Sequence, residues 1–136
     1  MIKPINHDQL LLQQKAIPAT KQDLNIGVDL QDTLRAHQTE CIGMAANMIG
    51  INKAVIIASL GPFDMVMYNP VITQKEGAYQ TEEGCLSLTG KRSTTRYKKI
   101  TVKFRNQNWQ LQSLQLSDLA AEIVQHELDH LEGILI

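Results

Sequence analysis

The sequence predicts an α+β fold, in which strands connect to one another and helices stand apart from them. Three observations carry that prediction. Stretches with helical apolar spacing fall near the two ends, at residues 20–37 and 118–131. Between them, residues 53–60, 64–73, 97–105 and 109–116 are rich in β-branched residues or alternate apolar with polar. The links are turn signals such as Gly61-Pro62 and Asn106-Gln107-Asn108, not crossover helices. Such connections favour α+β over a doubly wound parallel sheet.

Each element has a local cause. Thr20 followed by Asp23 resembles a capping box and opens a helix to about His37, with Leu24, Val28 and Leu34 expected toward the core. A second helical piece includes Ala45 to Ile49 and stops at Gly50. Lys53 to Leu60 reads as a buried strand, and Asp64 to Thr73 as another, interrupted at Asn69-Pro70. Over Tyr97 to Arg105, Ile100, Val102 and Phe104 point one way and Lys99, Thr101 and Lys103 the other. The turn at 106–108 then starts a hairpin with Trp109 to Leu116. Ser117 is expected to cap a final helix over Asp118 to about Leu131, which Gly133 ends.

The 136 residues suit one domain, residues 1–136. A net charge of -1 gives no reason to expect nucleic acid or an anionic membrane as partner. With 43% hydrophobic but only 4% aromatic residues, aliphatic side chains must build the core. No apolar run approaches a membrane span, and Met1-Ile2-Lys3-Pro4 leads into polar residues and not a signal core. A cytoplasmic location is the expectation. Two cysteines, Cys41 and Cys85, make no disulfide framework.

Chemistry concentrates in the final helix. Gln125-His126-Glu127-Leu128-Asp129-His130 contains H-E-x-x-H. Residues i and i+4 share a helix face, so His126 and His130 can grip one metal ion, with Glu127 beside them as a proton acceptor for a metal-bound water. Leu119, Ile123, His126, Glu127 and His130 form one stripe, while Glu122, Gln125, Asp129 and Glu132 crowd another. A surface helix with two chance histidines would also carry the pattern. A catalytic metal needs a third ligand and an open position. His7 and His37 sit among polar residues and read as solvated. Cys85, after the flexible Gly84, is the better candidate, although a lone cysteine is more often a buried, inert thiol.

Glu83-Gly84-Cys85-Leu86-Ser87, together with Gln125 to Leu131, closely resembles the E-G-C-L-S and Q-H-E-x-D-H-L motifs of the peptide deformylases. Cys41-Ile42-Gly43-Met44-Ala45-Ala46-Asn47-Met48 aligns with that family's G-x-G-x-A-A-x-Q motif. The resemblance implies antiparallel β-sheets packed around a central helix that carries H-E-x-x-H. It implies one divalent metal ion on Cys85, His126 and His130, usually Fe2+ in the cell, with Zn2+ or Ni2+ in preparations. It implies Glu127 as general acid/base, the Leu86 N–H as oxyanion donor, and removal of the formyl group from N-formylmethionyl peptides or nascent chains. Substrate contacts are expected from Ile42, Gly43, Met48, Gly84, Arg92, Leu119 and Ile123. For Ile42, Leu119 and Ile123 plain core packing is an equal reading, and Arg92 reads equally as part of a solvated basic run ending at Arg96.

Two positions depart from the family pattern. Cys41 replaces the first glycine and Met48 replaces the glutamine whose amide donates to the formyl oxygen. A thioether donates nothing, and loss of one oxyanion donor costs about 10²–10³ in turnover. Asn47 points about 100° away along a helix and is a weak substitute. A metal-binding paralogue with weak or no deformylase activity, acting as a formyl-peptide binder, is therefore the alternative. An H-E-x-x-H endopeptidase is disfavoured by Cys85. The chain also stops three residues after Gly133, which leaves ribosome docking through a C-terminal extension open.

Overall fold

A computed structural model describes residues 1–135. The elements are α1 (Gln9–Leu12), α2 (Leu24–Ala36), β1 (Gly43–Ala45), β2 (Val55–Ser59), β3 (Asp64–Cys85), β4 (Leu88–Arg105), β5 (Leu111–Ser117) and α3 (Asp118–Leu131). Short 3-10 turns, Lys21–Asp23 and Ala46–Ile49, precede α2 and follow β1. The α+β class is borne out. Where several sheets were expected, the strands of the described residues make one antiparallel sheet in the order β1-β2-β3-β4-β5. The continuity comes from β3 and β4, which run for 22 and 18 residues.

The sheet has a helix on each face. Alternate residues of β2 divide between two apolar clusters: Ile56 and Ala58 pack with Ile123 and Val124 of α3, and Val55 and Ile57 with Leu30 and Leu34 of α2. A strand covered on both sides reads as a continuous apolar run, which is why residues 53–60 were legible. On β4, Ile100, Val102 and Phe104 all join the α3 cluster, as the alternation predicted. The capping box at Thr20 and Asp23 is present.

Several local expectations need correction. Val28 is exposed; the inward stripe of α2 is Gly27, Leu30 and Leu34. Spacing of three and seven aligns these on one face, and Val28 lies about 100° off it. Gly27 is chosen for closeness, because a Cβ there would collide with the Tyr68 hydroxyl, which donates to the Leu24 carbonyl at 2.6 Å. Asn69-Pro70 does not interrupt the strand. It makes a register shift between Tyr68 and Val71, with Asn69 at φ 53 and its amide bonded to both backbone groups of Ala19. Such a bulge bends a strand without ending it. Ser117 occupies the N-cap of α3 but makes no side-chain cap hydrogen bond.

Candidate metal centre

Two elements that end near one another build the site. Cys85 is the last residue of β3, so it sits on a strand end and not in a loop, with Leu86 and Ser87 forming the turn into β4. His126, Glu127 and His130 project from α3, all buried. The donor atoms of Cys85, His126 and His130 lie within 4.8 Å of one another. The two imidazoles face each other, Nε2 to Nε2, at 3.2 Å. Two nitrogens bound at about 2.0–2.1 Å to one tetrahedral ion lie about 3.3 Å apart, so the spacing fits a shared cation.

Partners set the state of each group. His126 Nδ1 donates to Glu83 Oε1 at 2.7 Å, so Nε2 is the nitrogen that a metal would take in exchange for the ring's second proton. Burial disfavours the His126 cation, but Cys85 and Glu83 outweigh it and lift the ring to about 10; a bound dication would reverse that balance. Burial, with His126 adding to it, pushes His130 down to about 3, so it stays neutral as a ligand must. Burial also raises Glu127 to about 7, against the pull of His126. Its Oε1 is buried without a hydrogen-bond partner. A carboxylate poised near neutrality with a free oxygen is equipped to take and return a proton.

These residues open onto a cavity of about 590 Å³ lined by Ile42, Gly43, Met48, Cys85, Leu86 and Glu127, among others. Gly84, Leu119, Ile123 and His126 also line it. The structure therefore brings together most of the residues singled out from sequence. Arg92 is the exception: it donates to the Thr89 carbonyl at 3.2 Å, and Lys91 lines the cavity instead. His130 is wholly buried behind the cavity wall.

The profile of the polypeptide deformylase family matches residues 1–136. The chain belongs to the peptide deformylase family. Within it, the chain is 48% identical to a peptide deformylase of Clostridium beijerinckii over 136 residues, covering all of both chains. It is 38% identical to one of Syntrophomonas wolfei over 131 residues, 92% of this chain and 84% of that one. Among solved structures, the Thermotoga maritima peptide deformylase superposes with a TM-score of 0.89 at 29% identity, covering 99% of this chain and 95% of that one. A class I type b peptide deformylase from Acinetobacter baumannii with bound Met-Ala-Ser gives 0.88 at 28% identity, covering 99% and 97%.

Against this deformylase background the departures gain structural detail. Met48 is buried, with its Sδ toward Cys85. Asn47 donates to the His130 carbonyl at 2.8 Å and does not line the cavity, so it props α3 instead of replacing the missing amide. Cys41 lines the cavity, and burial, aided by Glu127, pushes its thiol up to about 11. At neutral pH it stays protonated, in keeping with a small filler residue.

The sequence reading missed the scaffold around the ligands. Arg96 is not part of a solvated basic face. It is buried, forks onto Glu83 with Nε–Oε2 3.0 Å and Nη2–Oε1 2.7 Å, and also binds Asp129 at 2.7 Å. Gln125, assigned to the polar stripe, is buried; its amide accepts from Tyr97 N–H and donates to Tyr97 O, both at 2.8 Å. The only available signal was position. Arg96 is buried between an exposed Thr95 and a half-buried Tyr97 on β4, and Gln125 lies one helical turn after Ala121, on the face that α3 packs inward.

Proposed function

We propose that this chain removes the formyl group from N-formylmethionyl peptides by metal-dependent hydrolysis, with residues 1–136 acting as one domain. The observation that carries the reading is the convergence of Cys85, His126 and His130 beside the unpartnered carboxylate of Glu127. Cys85, His126 and His130 would hold one divalent ion, ferrous iron in the cell, with zinc or nickel able to replace it. Bound there, such an ion acidifies water and polarises the formyl carbonyl.

The rest is done by the chain's own side chains and backbone. Glu127 takes the proton from the attacking water and delivers it to the leaving amine, so formate and a free N-terminus result. The Leu86 N–H donates to the oxygen as it gains charge. β1 is an edge strand, and Gly43 on it offers backbone groups to an extended peptide. Ile42, Leu119 and Ile123 would receive the methionine side chain, and Gly84 lines the same cavity. The relative captured with Met-Ala-Ser supports a peptide of this kind. Formylated nascent chains as substrates would put the work in the cytoplasm.

The test is formate release from formyl-Met-Ala-Ser by anaerobically prepared, iron-loaded protein, with Glu127→Ala as control. Release that depends on Glu127 is expected; equal release by both proteins would remove Glu127 from the mechanism, and none by either would reject the function.

A further inference from the structure

The turn that carries the Leu86 N–H is tied down from the far end of the chain. Leu86 and Ser87 are the two residues between Cys85 and Leu88, which pair across the β3–β4 hairpin. The central peptide groups of so short a connection lie outside the strand ladder. The ladder is also irregular at this point, with a register shift between Gly84 and Cys85. The Ser87 side chain does not hold the turn, because its Oγ is buried without a hydrogen-bond partner.

His7 supplies the tie. Its Nδ1 lies 3.1 Å from the Ser87 carbonyl oxygen. A carbonyl oxygen only accepts, so Nδ1 carries the proton and donates it. From sequence His7 reads as solvated. Its side chain is indeed exposed, yet one ring nitrogen is committed to a residue 80 positions away. The residues beside His7 fix its backbone. The Asn6 N–H donates to the Met48 carbonyl at 2.6 Å, and Asn6 Nδ2 to the Asn47 carbonyl at 3.0 Å. Asp8 caps α1, whose Leu12 is fully buried. Asn6 and His7 therefore form a strap. Asn6 grips the turn Ala46–Ile49, His7 grips the turn at Leu86 and Ser87, and Met48 and Leu86 on those turns line the one cavity.

On the reading given under the proposed function, we propose that His7 is a positioning residue. Through the Ser87 carbonyl it holds the Leu86 N–H on the formyl oxygen as that oxygen gains charge. His7 does not itself line the cavity. An oxyanion donor acts more on the transition state than on the bound substrate, so a misaimed N–H lowers kcat and leaves KM in place.

The experiment compares the whole chain as wild type, His7→Ala and His7→Asn. An asparagine amide offers an N–H close to where the ring offers Nδ1, and alanine offers none. The readouts are kcat and KM for formyl-Met-Ala-Ser with iron-loaded protein, and backbone amide NMR shifts with zinc-loaded protein. The expected result for His7→Ala is a kcat lowered by about tenfold, a KM within about twofold, and displaced Leu86 and Ser87 amide signals. His7→Asn is expected to recover most of kcat and to return the signals. An unchanged kcat in His7→Ala, an equal loss in both variants, or a loss carried by KM overturns the proposal. Failure of the wild type to release formate rejects the proposed function instead. The Leu86 signal then tests the tie alone, and a signal unmoved by His7→Ala overturns it.

Discussion

Glu83 accepts the Nδ1 proton of His126 at 2.7 Å on the same oxygen that receives the Nη2 of Arg96. A carboxylate on β3 therefore holds the His126 ring of α3, and a buried guanidinium holds the carboxylate. Burial opposes the Glu83 charge, but His126 and Arg96 hold its carboxyl at about 2. It remains an anion at any working pH.

Removing that anion should loosen both ligand and scaffold. Glu83→Gln is expected to weaken zinc binding by about 10–100-fold through the lost orientation of His126. Glu83→Ala also leaves Arg96 buried with only Asp129, at a cost of about 3–5 kcal/mol in stability. Metal competition and denaturant unfolding check the two effects separately. Unchanged metal affinity in Glu83→Gln would mean that the hydrogen bond does not position the ring.

Restoring the family amide should restore a donor. Met48→Gln is expected to raise turnover on formyl-Met-Ala-Ser by about 10²–10³ if the native oxyanion site lacks one hydrogen bond. Steady-state formate release with iron-loaded protein measures it. No increase would mean that the Leu86 N–H and the metal already suffice.

Gly43 has no room for a side chain. A Cβ there would lie 2.7 Å from Ile123 Cγ2 and 2.9 Å from Glu127 Oε2. Gly43→Ala should therefore displace the Glu127 carboxylate and strain β1 against α3, lowering kcat and costing about 1–3 kcal/mol in stability. Full activity in this variant would show that α3 can move away freely.

Tyr68 predicts an alkaline limit. Burial pushes its hydroxyl from 10 up to about 12 in the folded chain. The neutral phenol is thus favoured by folding: its contribution is complete below pH 10 and disappears as pH rises through about 12. Thermal unfolding between pH 9 and 12 should show this loss in wild type and a shallower decline in Tyr68→Phe. Identical profiles would mean that Tyr68 ionises without regard to folding.

The chemistry was legible because it is written in short segments. Cys85 beside Gly84 and His126 with His130 stand out as candidate metal donors by residue type and local spacing, and the structure brings the three together. A helix turn places i and i+4 together without help from the rest of the chain. The strand alternation at Ile100, Val102 and Phe104, and the apolar run of β2, were readable for the same local reason.

What sequence alone determined was therefore the donor inventory, the α+β class and the strands that pack on both faces. Tertiary structure decided everything that depends on partners far apart in the chain: that β3 carries Cys85 to its very end, that Arg96 turns inward to Glu83 and Asp129, that Gln125 completes β4 at Tyr97, and that Met48 brings a second sulfur to Cys85. Periodicity reports which face a residue occupies, but an ion pair or a sulfur contact across 13 to 37 residues depends on how the sheet and helices close on one another, and no local pattern encodes that distance.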